Sequence, residues 1–112
     1  MNLEKDLVSS KRTFEVEVSE QCADEIIEIY GYISNVLKEK RIARKMFVEL
    51  RNKIINVKEN PDLYMKIGKV DKLYREYHRI VIKNYVVLYT IDYEKKKVYI
   101  SRMLYGKRNY LY

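Results

Sequence analysis

Apolar and polar positions change period along this chain, and each change marks an element. Phe14-Glu15-Val16-Glu17-Val18 alternates strictly, the period of two that a strand with one wet face produces. From Ser19 onward the spacing lengthens, and Ala23, Ile26, Ile27, Tyr30, Ile33 and Leu37 recur at three and four residues, which predicts a helix over about 20–38. Ser19 is positioned to cap that helix, with Glu20, Asp24 and Glu25 favourably located in its first turns. The charged stretch Lys38-Glu39-Lys40-Arg41 interrupts the pattern. A second helical series follows in Ala43, Met46, Phe47, Leu50, Ile54 and Val57, and Asn60-Pro61 ends it, because the residue before proline is pushed out of the helical region. Two amphipathic helices with so short a break between them predict an antiparallel hairpin, and their apolar stripes need a sheet to cover.

The last third supplies one. After Gly68, the stretch from Leu73 to Ile82 is rich in strand formers and Lys83-Asn84 marks a turn. Tyr85 to Ile91 is apolar or β-branched throughout, as a central strand buried on both faces should be. Asp92 to Lys97 makes a charged connection to a final strand, Val98 to Leu104. The expected order is β-α-α-β-β-β, an α+β fold with the helical hairpin on one face of a small, mainly antiparallel sheet and the other face open to a partner. A chain of 112 residues holds one core, so residues 1–112 are expected to form a single domain, with residues 1–13 as a polar, flexible leader.

Charge refines this picture. Residues 1–68 carry 12 Lys/Arg and 12 Asp/Glu, whereas residues 69–112 carry 11 and 4. The whole excess of +7 thus falls in the C-terminal part, where a partner rich in phosphate or carboxylate would relieve the self-repulsion. With one cysteine and one histidine, neither an internal disulfide nor a Cys/His zinc site is expected, and no cofactor is implied. No secretory signal or membrane-spanning run is present, so the expected location is the cytoplasm and no membrane partner is expected.

Several side chains are candidates for chemistry. Arg75 and Arg79 share strand parity with Tyr77 between them, a basic face with an aromatic centre suited to phosphate and base contacts, or else a solvated face or a docking groove. Arg102 shares parity with Val98, Ile100 and Leu104, so its guanidinium needs a phosphate or a carboxylate; Asp92 and Glu76 are the candidates for a structural ion pair. His78, the one group that titrates near neutrality unaided, is the first choice for general acid or base in a nuclease, but alternation puts it opposite Arg75 and Arg79, which favours a hydrogen-bonded structural role. Cys22 is expected to be packing, and many of the nine tyrosines beyond residue 69 core or cross-strand pairs.

The stretch Asn84-Tyr85-Val86-Val87-Leu88-Tyr89, followed by Ile100-Ser101-Arg102-Met103-Leu104-Tyr105-Gly106-Lys107-Arg108-Asn109, resembles the end of RelE/ParE toxins, with their N-Y-x-x-x-Y strand and I-x-R-x-L-x-G-x-R-[DN] strand. The resemblance implies a toxin of a type II toxin–antitoxin pair, neutralised by an acidic antitoxin. It holds two activities: RelE-like members cut mRNA on the ribosome, and ParE-like members poison DNA gyrase. Nuclease members usually carry a phosphate-stabilising arginine after the first tyrosine of the central strand; here that residue is Val86, which can neither stabilise charge nor accept a proton. The resemblance therefore favours the gyrase branch. The alternatives are a ribosome-dependent, metal-independent endoribonuclease or a degenerate member that only binds its antitoxin. For the nuclease, the resemblance assigns Arg108 with Tyr110 or Tyr112 to the scissile phosphate and the attacking hydroxyl. Arg75, Tyr77, Arg79, Arg102, Lys107 and Arg108 are the residues expected to bind the target or nucleic acid.

Overall fold

The computed structural model describes residues 13–64, 66–69 and 76–106. Strand β1 (Glu15–Val18) leads into helix α1 (Glu20–Gly31), a π turn (Tyr32–Val36), helix α2 (Lys40–Glu59) and a 3-10 turn (Pro61–Leu63). Strands β2 (Lys66–Lys69), β3 (Glu76–Ile82), β4 (Tyr85–Asp92) and β5 (Lys97–Tyr105) follow. They form one sheet in the order β1-β5-β4-β3-β2, in which β1 runs parallel to β5 and every other pairing is antiparallel. The fold is α+β, as the periodicities predict.

Three local features differ from the expectation. A fifth strand, β2, lies at the sheet edge, where the expected meander had only three C-terminal strands. Its four residues, Lys-Ile-Gly-Lys, are too short and too charged to signal a strand, and pairing with β3 organises them. The first helix is not continuous to residue 38: from Tyr32 the backbone widens into a π turn and closes at Lys38, with φ of 56°, and Leu37 there is 50% exposed instead of joining the stripe. Ile27, in the regular part of α1, is 69% exposed because it lies on the side of the helix away from the buried Cys22. In α2, Phe47 is likewise half exposed and meets Tyr30 edge to face. The portion of the predicted strand from Leu73 to Arg75 and the first twelve residues of the leader lie outside the described residues.

The core forms where the helices cover the sheet. Cys22 and Ile33, with Ala43, Met46, Leu50 and Val57 of α2, meet Ile80 and Ile82, Val87 and Tyr89, and Val98, Ile100 and Met103. Tyr89 locks the layers: its hydroxyl donates to the Pro61 carbonyl at 2.7 Å, fixing the turn that ends α2 onto the central strand. Ser19 caps α1, accepting from the Cys22 amide at 3.0 Å, and its hydroxyl also donates to the Ser101 carbonyl at 2.8 Å. Burial pushes the Cys22 thiol up to about 11, an effect the nearby Glu25 carboxylate reinforces and Arg102 opposes. Native protein at pH 8 is therefore expected to react with a thiol reagent no faster than it unfolds, and labelling within seconds in the absence of denaturant would contradict this packing.

Candidate functional site on the open sheet face

Side chains on the sheet face away from the helices form a second, smaller cluster of Tyr77, Val86, Leu88 and Leu104, with Ile67 packed against it. Strand alternation explains its membership. In β3, His78, Ile80 and Ile82 serve the main core, which leaves Tyr77, Arg79 and Val81 for the open face. In β4 both sets are apolar, so Val86 to Leu88 are buried whichever way they point, as expected for the central strand.

Cross-strand register brings together residues that the sequence pattern could name only separately. Arg79 stands opposite Leu88, and Leu88 stands opposite Arg102. Two arginines therefore flank one leucine in a row across β3, β4 and β5, with backbones about 10 Å apart. In the next row Val86 lies between Val81 and Leu104. Tyr77 is on the same face but only 6% exposed, packed in the apolar cluster with Val86, Leu88 and Leu104, so little of its ring is open to a ligand.

Arg102 does not pair with Asp92 or Glu76, and it does not share parity with both Val98 and Leu104. The register shifts between Leu88 and Tyr89, where β5 carries an extra residue. Val98 and Ile100 belong to the main core and Leu104 to the open-face cluster, so the bulge reverses the alternation on which the expectation rested. The partner is Glu25 of α1, whose Oε2 accepts from Arg102 Nε at 2.9 Å and lies 2.8 Å from Nη2. Its Oε1 accepts from the Met103 amide at 2.9 Å. Glu25 thus closes the edge of β5 where β1 has ended, and holds Arg102 in place. No local signal could have disclosed this contact, which joins residues 77 apart in sequence.

His78 lies under the sheet, opposite Arg79. It is 9% exposed, its ring stacks on Tyr89 at 5.1 Å, and its Nδ1 is 2.9 Å from the Tyr64 carbonyl. That carbonyl can only accept, so the Nδ1 carries the proton in this contact. At the far end of the sheet Tyr85 meets Tyr105 edge to face at 5.7 Å, and burial, then the neighbouring Tyr105 and Tyr32 hydroxyls, push the Tyr85 hydroxyl above its ordinary value. Gly106 finishes β5 here. Its amide donates to the Asn84 carbonyl, and a Cβ on it would stand 3.0 Å from that oxygen, which explains glycine at this point of the motif. Arg75, Lys107, Arg108, Tyr110 and Tyr112 lie outside the described residues. Among the described residues no helix is long and apolar enough to cross a membrane.

A helical pair on one face of a mixed five-stranded sheet is the fold of RelE/ParE toxins, and solved structures share it. One is a chain of the chromosomal ParDE toxin–antitoxin system from P. aeruginosa, with a TM-score of 0.64 and 11% identity over 84% of this chain and 97% of that one. Another is a chain of the archaeal RelE–RelB complex from Pyrococcus horikoshii OT3, with a TM-score of 0.56 and 17% identity over 87% and 99%. A third is a chain of the RelBE2 complex from Mycobacterium tuberculosis, with a TM-score of 0.52 and 18% identity over 83% and 98%. No curated protein sequence matches significantly. Residues 16–110 match the family described as the ParE toxin of the type II toxin–antitoxin system, parDE. The chain belongs to that family.

Proposed function

We propose that this toxin, acting in the cytoplasm as a single domain, inhibits growth by binding an essential nucleic-acid machine, with DNA gyrase as the target, and that a cognate acidic antitoxin neutralises it. The observation that carries the target is Val86. At the position where the resemblance puts a phosphate-stabilising arginine in nuclease members, this side chain is 5% exposed and packed among Tyr77, Leu88 and Leu104. An apolar residue in an apolar cluster can hold neither the charge nor the proton of phosphodiester cleavage. The engagement of His78 with Tyr64 and Tyr89 supports the same reading, because a general acid or base must reach substrate. The ParDE and RelBE structures that share the fold are toxin–antitoxin systems or complexes, which supports an antitoxin partner here.

The test uses two reactions with the full chain. In a supercoiling reaction the toxin is expected to inhibit gyrase, and in a translating bacterial extract the message is expected to stay intact. Cuts confined to ribosome-engaged mRNA, abolished by Arg108→Ala or Tyr110→Phe, would overturn this in favour of the endoribonuclease. No effect in either reaction would reject gyrase as the target and leave a member that binds only its antitoxin.

A further inference from the structure

Counting charge along the chain hides a division that the fold exposes. Helix α1 carries Glu20, Asp24, Glu25 and Glu28 and no Lys or Arg. Helix α2 carries Lys40, Arg41, Arg44, Lys45, Arg51, Lys53 and Lys58 against Glu49 and Glu59. The excess is concentrated further still, on one side of α2. Glu49 pairs with Lys53 at 3.1 Å, and Lys53 also donates to the Val81 carbonyl at 2.7 Å, so this pair belongs to the helix–sheet junction. The other six cations are exposed. Lys40, Arg44, Arg51 and Lys58 follow one ridge, Arg41 and Lys45 lie beside it, and together they face away from the buried Ala43, Met46, Leu50 and Val57. Glu59 is the one acid among them, and among the described residues none of the six enters an ion pair.

This arrangement works against the helix that carries it. Lys40–Arg44 and Arg41–Lys45 are like-charged pairs at i,i+4, each destabilising by about 0.2–0.5 kcal/mol. Lys40 and Arg41 also stand in the first turn, which has no acid and no side-chain cap, at the end where the macrodipole disfavours cations. Such a face gains from a polyanion that neutralises it.

We infer that the outer face of α2 binds the phosphate backbone of duplex nucleic acid. The ridge from Lys40 to Lys58 is about 27 Å long, comparable to eight base-pair rises, and three of the six cations on the face are arginines, whose planar donors suit phosphate oxygens. Asn52 and Asn56, exposed among them, add neutral donors of the kind used on backbones. A single strand would require rings for its bases to stack on. The nearest candidate, Phe47 at the margin of the face, is met edge to face by Tyr30 of α1. An acidic amphipathic peptide would require an apolar stripe, and between the cations only Val48 and Ile55 are apolar. The inference goes beyond the choice of target, and its test contains DNA alone, so it can fail without disturbing the gyrase reading.

The experiment follows the anisotropy of a labelled duplex of about 24 base pairs, and of its single strand, as full-length toxin is added between about 50 and 200 mM salt. Wild-type toxin is expected to bind the duplex more tightly than the strand. The variant Arg44→Ala/Arg51→Ala/Lys58→Ala is expected to bind the duplex about a hundredfold more weakly, with the slope of log affinity against log salt reduced by about 2.7, near 0.9 for each phosphate no longer neutralised. A control, Lys83→Ala/Lys95→Ala, removes two exposed loop lysines and should stay within about twofold. Unchanged melting of the triple variant shows that the fold survives. Absence of duplex binding at low salt, an equal preference for the strand, or a triple variant with the wild-type slope would each overturn the assignment.

Discussion

Truncating Tyr89 to alanine is expected to destabilise the toxin by about 3–5 kcal/mol, the range for losing a large aromatic from a close-packed interior. The ring is fully buried in the central strand, stacks on His78 at 5.1 Å, and sends its hydroxyl to the Pro61 carbonyl at 2.7 Å. Alanine would therefore leave a cavity beneath the helices and release the turn that ends α2. Tyr89→Phe separates the two contributions. It keeps the ring and leaves the buried Pro61 carbonyl without its donor, at a cost of about 1–2 kcal/mol. Urea titration of the three proteins checks this. If alanine and phenylalanine cost the same, the hydroxyl rather than the ring is what holds the layers.

The second large effect is expected at Glu25. Glu25→Ala removes two charge-assisted contacts to Arg102 and the acceptor of the Met103 amide. The Arg102 side chain is 37% exposed and that of Glu25 18%, so solvent screens part of the ion pair. The hydrogen bond that the Met103 amide donates to the carboxylate is the better protected, and together they should be worth about 2–3 kcal/mol. Glu25→Gln, which keeps an acceptor for Met103, should recover about half of this. Raising the salt concentration should narrow the gap between wild type and Glu25→Gln but not that between Glu25→Gln and Glu25→Ala. A gap that closes for both would mean that surface Coulomb attraction is the whole effect.

Much of the architecture was legible because it rests on periodicity. The alternation of β1, the continuous apolar run of β4 and the helical spacing before Pro61 each have one simple structural solution, and their order leaves few ways to cover the stripes. What stayed hidden was set by neighbours distant in sequence. Strand β2 exists because β3 offers it a ladder. Arg102 changes face because β5 is bulged against β4, and a single extra residue defeats any argument from parity. Its partner lies on α1, which nothing in the spacing of charges around residue 102 indicates. The row of Arg79, Leu88 and Arg102 is a product of register, so the sequence could name its members but not assemble them. The basic ridge of α2 was masked by arithmetic: the acids that cancel it in a count lie on α1 and elsewhere, with Glu59 alone among the cations of its own outward face.

The pairing of β1 with β5 has a consequence for how the toxin is made. These are the first and last of the described strands, and Ser19, between β1 and α1, reaches residues 100 and 101 through its amide and hydroxyl. During synthesis β1 has no strand to join, and Glu25 no edge to close, until β5 has left the ribosome. The helical hairpin can form early from local contacts, but it must wait with its apolar stripe uncovered while β3, β4 and β5 emerge. The nascent chain is therefore open to capture throughout that interval, and a neutralising partner already present nearby could engage it before a finished toxin exists.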